Sequence, residues 1–378
     1  MSPAIYLGGV GFGLIAVCYG FARFAFGLFL PQIDAELSLS SSLSGLISGG
    51  AFLGYCVAII LSAWLTERLS ARIVAVGAAL VAAVGMAGMA MAPSAPWLAA
   101  AVMLAGSSTG LASPPMAAAV AAAVRPERQG AINTVINAGT GAGVVMSGPV
   151  ALMLGDQWRL AFAAFTVVAI VLAVAAAFCV PAEAGRDRNI SGGLPVLNGP
   201  LRRLMVAAFL MGAASTALWS FGGQLVSLRL DWGSTGAALL WITIGAAGIV
   251  GAAAGTLVTR LGIDRVHRVF LIALAGGIVM VGMEGTTPAL TLGGGLLFGL
   301  AYIMITGVYL VWGVSALPER PATGLMIGFL TIAIGQTVGA PIFGTLMDAL
   351  SPHYAVLIFA ALALTAGLAR AGRLSATA

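Results

Sequence analysis

The chain has 378 residues, 60% of them hydrophobic and only 8% charged, with a mean hydropathy of +1.07. Soluble domains carry about 25% charged residues, so a soluble globular fold is excluded and a polytopic membrane protein is implied. All 17 basic residues are arginines, and the net charge is +5. They are scattered in short segments between apolar runs, which excludes a nucleic-acid-binding face.

Residues 1–4 have neither a basic n-region nor a small-residue cleavage site, so no removable signal peptide is expected. Twelve apolar runs long enough to span a bilayer follow, at about 5–30, 42–65, 73–92, 97–123, 130–154, 158–180, 204–228, 235–258, 268–284, 289–316, 322–347 and 353–370. The ninth is the shortest. The first contains YGFARFAFGLFLP, at residues 19–31, with Arg23 near its centre. A cation in hydrocarbon costs roughly 2.5–3.5 kcal/mol on insertion scales, so Arg23 is expected to face a cavity or a partner. Cys18, Cys56 and Cys179 all fall inside apolar runs without metal-ligand spacing and read as buried free thiols.

Arginine placement orients the spans. With the N-terminus inside, every arginine except Arg23, Arg159 and Arg229 falls on the cytoplasmic side. Both termini are therefore expected in the cytoplasm. The stretch 181–203 is the longest polar segment and reads as a cytoplasmic linker between residues 1–180 and 204–378, two six-helix bundles. A shift of 192 residues carries Pro126-Glu127-Arg128 onto Pro318-Glu319-Arg320. It also carries Arg68-Leu69 onto Arg260-Leu261, Gly143 onto Gly335, Pro149 onto Pro341 and Asp156 onto Asp348. These coincidences at one offset predict a tandem repeat with pseudo-twofold symmetry.

An all-α integral membrane fold of twelve helices, with a central loop and a six-plus-six repeat, resembles the major facilitator superfamily over essentially the whole chain. The family's loop between helices 2 and 3 reads G-x-x-x-D-R-x-G-R-R. The matching residues here are Ala63, Glu67, Arg68, Ser70, Ala71 and Arg72. The resemblance implies a cytoplasmic conformational latch at Glu67, Arg68, Arg72 and the second-half Arg260. The helix-5 run GTGAGVVMSGPVALML partly resembles the family's antiporter motif, and its Gly148-Pro149 reads as a hinge. The first-helix pattern resembles a bacterial branch of the superfamily with an arginine in helix 1, and implies a bacterial inner-membrane transporter.

In this fold the substrate cavity lies at mid-membrane between the halves. Counting depth at 1.5 Å per residue, Tyr19 is central in the first span, and Arg23 stands one turn, about 6 Å, further out on the same face. Tyr55, Asn133, Asn137, Trp219, Tyr302 and Gln336 complete the candidate substrate-binding set. No acid falls at mid-membrane: Asp34, Glu36, Asp156, Asp231, Glu284 and Asp348 belong to outer ends, and the remaining acids to inner ends. An unneutralised Arg23 predicts an anionic substrate, and its planar fork suits a carboxylate.

The expectation is therefore a monomeric secondary transporter moving a small organic anion by alternating access, with a proton or counter-anion as coupling partner. The alternative is an exporter of hydrophobic or drug-like compounds with an aromatic-lined cavity. No cofactor or metal is expected. An enzyme is not expected either: the two histidines, His267 and His353, fall at opposite membrane sides, and no nucleophile or acid pair is clustered.

Overall fold

The computed structural model describes residues 3–182, 197–250 and 254–372. Among the described residues all regular elements are helical. The first span is composite: α1 (Pro3–Ile15) runs through a π-helical segment (Ala16–Phe24) into α2 (Ala25–Leu37). It is followed by α3 (Ser41–Arg68), α4 (Ala71–Ala90), α5 (Ala95–Ala123), α6 (Pro126–Leu154) and α7 (Trp158–Cys179). The second half comprises α8 (Gly199–Trp219), α9 (Gly222–Arg229), α10 (Gly233–Val250), α11 (Ala254–Leu261), α12 (Ile263–Gly282), α13 (Pro288–Ala316), α14 (Pro321–Ala349) and α15 (Pro352–Ala366).

Ten of these helical stretches are long and apolar enough to cross a membrane, and two shorter apolar helices, Gly233–Ile249 and Pro352–Ala366, bring the set to twelve. The run limits differ from the sequence reading in five spans. The first span extends to Leu37, past Pro31. The seventh begins at Gly199, inside the segment read as linker, and breaks after Trp219. The ninth is a full 20-residue helix. The short ones are instead the eighth and twelfth. Most of the linker, residues 183–196, lies outside the described residues.

Side chains at the helix starts satisfy amide groups that have no partner within the helix. Ser40 accepts from Leu43 N–H, Thr287 from Leu290 N–H, and Ser351 from Tyr354 N–H. Asn198 accepts from Leu201 N–H, and its Nδ2 donates to Ala316 O, tying α8 to the end of α13. The two arginines expected outside have comparable duties. Arg159 donates to Ala90 O at the end of α4 and to Ala92 O just beyond it, and pairs with Glu36 at 2.7 Å. Arg229 donates through Nε to Gly282 O at the end of α12.

Glycines set the helix spacing. A Cβ on Gly20 would lie 2.3 Å from the Gly143 carbonyl carbon, and one on Gly143 2.2 Å from Ala16 O. In the second half, Gly212 meets Ile332 O and Gly335 meets Phe209 O in the same way. The 192-residue shift relates Gly20 to Gly212 and Gly143 to Gly335, so the repeat is physical as well as textual.

Other glycines join the halves. Gly45 and Gly49 of α3 lie against Ala340, Thr337 and Pro341 of α14, and Gly344 lies against Ser41 O. Gly141 and Gly148 of α6 lie against Gly245, Ala238 and Ile242 of α10. The α8–α9 break brings Gly223 against Gly27 O, while Ser220 Oγ bonds Ser48 Oγ at 2.6 Å.

Two carboxylates close this same end. Asp348 accepts from Ser42 N–H at 2.7 Å, Ser42 Oγ at 2.6 Å and Ser41 N–H at 3.2 Å, and so caps α3 from the other half. Asp34 accepts from Ser44 Oγ at 2.9 Å and, across the halves, from Gln224 Nε2 at 3.2 Å. Arginine placement assigns this end to the outside.

Cys18 and Cys56 are buried, as expected, whereas Cys179 is only half-buried, because it ends α7 at the bundle edge. All three are free.

Candidate functional site

The π-helical segment AVCYGFARF carries both Tyr19 and Arg23. It ends with Ala25 N–H donating to Gly20 O, an i→i+5 bond, and such segments often occur at functional positions. Gly20 and Gly143 let it press directly on the backbone of α6. Arg23 is thereby fixed inside the bundle, 6% exposed.

Aromatic rings surround the guanidinium. Its carbon lies 4.7 Å from the Phe52 and Tyr55 ring centres, 5.1 Å from that of Phe24 and 5.7 Å from that of Tyr19. Each such contact is worth about 0.5–2 kcal/mol. Its hydrogen bond crosses to the other half: Nη2 donates to Gln336 Oε1 at 2.5 Å. Gln336 is fully buried, and its Nε2 donates to Ser215 Oγ and Tyr302 OH, both at 3.2 Å. The 192-residue shift carries Arg23 onto Ser215. Equivalent positions of the two first helices therefore hold the two ends of one amide.

A second aromatic layer continues into the other half. Trp219 stacks on Phe24 at 4.0 Å and meets Tyr302 and Phe298 edge-on at 5.2 and 5.5 Å. Tyr19 meets Tyr55 edge-on, and its hydroxyl pairs with Ser113 Oγ at 3.1 Å. Within this cluster two buried polar atoms have no hydrogen-bond partner, Arg23 Nε and Trp219 Nε1. Both are donors.

The structure brings together six of the eight residues singled out from sequence: Arg23, Tyr19, Tyr55, Trp219, Tyr302 and Gln336. Asn133 is half-buried and Asn137 exposed, nearer the Pro126 end of α6, outside this network. Ser108 and Thr109 bond back to Ala105 O and Gly106 O of their own helix. Phe24, Phe52, Phe298, Ser113 and Ser215 were not singled out. Their only sequence signals are adjacency to Arg23 for Phe24 and one-turn spacing to Tyr55 and Tyr302 for Phe52 and Phe298.

Among the described residues no carboxylate pairs with Arg23, so its charge is solvated rather than neutralised. The ring faces and the Gln336 carbonyl support it within the protein. What the cluster offers a ligand is unpaired donors and flat apolar surface.

At the other end of the bundle, Arg68 lies over the Trp64 ring of its own helix at 4.1 Å. Arg72 Nε donates to Val180 O at 2.6 Å, within the same half, and Arg260 is exposed at the end of α11. The Glu67 side chain lies outside the described residues.

The profile of the Major Facilitator Superfamily matches residues 12–333. A chloramphenicol efflux pump of Mycobacterium tuberculosis is 30% identical over 207 residues, which are 52% of this chain and 48% of that protein. The match thus spans about half the length of that relative. A mutant of the nucleoside transporter NupG superposes with a TM-score of 0.82 at 12% identity, covering 97% of this chain and 98% of its own. The xylose transporter XylE of E. coli, in a partially occluded inward-open conformation, gives 0.78 at 15% identity over 97% of each chain. The chain is a multi-pass membrane protein, and it belongs to the Major Facilitator Superfamily.

Proposed function

We propose that the protein is a secondary transporter of small aromatic anions, carboxylates first among them, bound at Arg23 and carried by alternating access. The observation that carries this reading is the presence of two buried donors without partners, Arg23 Nε and Trp219 Nε1, within an aromatic enclosure. Burying an unpaired donor costs about 1–3 kcal/mol, so an oxygen acceptor placed there is rewarded and a cation is not. A carboxylate on a ring supplies both the acceptor and the flat surface. The halves meet at the Asp34–Asp348 end, which supports access from the cytoplasm in this conformation. Asn133 and Asn137 then line the inner approach, and Glu67, Arg68, Arg72 and Arg260 serve as the latch of the opposite state. A proton or counter-anion drives the cycle.

The test is flux and thermal shift with purified protein, comparing benzoate, cyclohexanecarboxylate and benzylamine. Binding raises the apparent melting temperature by mass action. Benzoate should bind and move best and benzylamine not at all. Arg23→Ala should abolish benzoate transport while the protein remains folded, and Arg23→Lys should restore little, because it lacks the fork.

Export of neutral drug-like compounds is a second reading, favoured by the aromatic layer around Trp219 and by the efflux pump among the relatives. Chloramphenicol efflux that survives Arg23→Ala would move the assignment there.

A further inference from the structure

We propose that Gln336 is a built-in competitor for the substrate: its amide occupies the guanidinium of Arg23 across the two halves, and the substrate binds by taking its place. This rests on Arg23 being the substrate anchor. The orientation of the amide follows from chemistry. A guanidinium has only donors, so the carbonyl oxygen of Gln336 must face it. The amide nitrogen is meanwhile held by Ser215 and Tyr302, both of its own half.

The hold is incomplete. Nε and Nη2 form the side edge of the guanidinium, which a carboxylate grips with both oxygens. Gln336 supplies one oxygen, bonded to Nη2, and Nε is left buried without a partner. The Phe52 and Tyr55 rings lie over the guanidinium at 4.7 Å, so a ligand's oxygens reach it through its edges. On this edge a carboxylate gains a second hydrogen bond and a charge relative to the amide it displaces.

The exchange also changes the protein. The Arg23–Gln336 bond joins α14 to the first span, so displacing it removes a mid-membrane tie between the halves. Substrate binding and loosening of the two bundles are then one event. The displaced amide swings its oxygen off Arg23 while Ser215 and Tyr302 stay beside its nitrogen, ready to seat it again when the substrate leaves.

Two variants and one cycle test this. Gln336→Met keeps the length of the side chain without its acceptor, and Gln336→Ala removes the bulk. Both should bind benzoate more tightly than the wild type, by about tenfold, the equivalent of one hydrogen bond. Gln336→Glu places a competing charge on Arg23 and should bind benzoate at least tenfold more weakly at neutral pH. A double-mutant cycle of Arg23→Ala with Gln336→Met, read as melting temperature without added ligand, should be non-additive.

Unchanged or weakened benzoate binding in Gln336→Met would overturn the proposal, because Gln336 would then be a bystander or a direct ligand contact. An additive cycle would overturn it as well. If benzoate binds no variant while the cycle is non-additive, the aromatic-anion reading falls and the competitor role falls with it. The inter-half tie alone would then stand.

Discussion

Ser70 carries a local backbone cost. It caps α4 by accepting from Ile73 N–H, but it does so at φ 149° and ψ 158°, a region used almost only by glycine. The resemblance to the family's loop motif places a glycine at this position, and the conformation explains why. Ser70→Gly should relieve strain of order 1–3 kcal/mol and lose only a few tenths through the weaker cap. A raised melting temperature of the purified protein is the expected result. Arg23 was legible in the sequence because one charge in an apolar run stands out. Its supporters were not. Phe24, Phe52 and Phe298 are apolar residues in apolar helices and carry no contrast, and Gln336 lies 313 positions away along the chain. Ring faces and a neutral amide solvate Arg23 without cancelling its charge, and no count of acids reveals them.

At the scale of the helix, the twelve spans were readable because hydrophobic length alone defines them. Their faces were not. Most helices are apolar all round, so no periodicity reveals which side meets a neighbour. The π-helical segment left no trace in the pattern either, although it sets the directions of Tyr19 and Arg23. The break between α8 and α9 lies inside one apolar run, where only Gly222-Gly223 hints at it. Glycine contacts give an element-scale test. Gly20→Ala places a methyl group 2.3 Å from the Gly143 backbone, which a flexible side chain cannot relieve. It should reduce folded yield and melting temperature sharply, as should Gly212→Ala at the repeat position. Gly9→Ala, where nothing lies within 4 Å of the added carbon, should be tolerated. Fluorescence-detected size exclusion of the three variants makes the comparison.

At the scale of the molecule, the tandem repeat was legible as a recurring offset, and the paired glycine contacts give it a structural meaning. The end at which the halves meet could not be read from sequence, because tertiary contact between distant helices decides it. That end is held by Asp348 on α3 and by Asp34 on Gln224. Asp348→Ala should shift the population toward opening at this end. A cysteine introduced at Ser220 in a background without the native cysteines should then label faster with a membrane-impermeant thiol reagent. Equal labelling in both backgrounds would show that Asp348 does not hold the closure.

Asp348 takes two of its three bonds from the peptide amides of Ser41 and Ser42 rather than from a basic side chain. Every residue except proline bears the same peptide N–H. Drift at positions 41 and 42 therefore leaves most of the fastening intact, and the burden of inheritance falls on a single aspartate. Asp348 sits at the N-terminus of α3, where the helix dipole favours its charge, and added salt screens that attraction in part. What screening leaves untouched is the hydrogen-bond geometry itself, so this fastening loosens by degrees as ionic strength rises and does not fail outright.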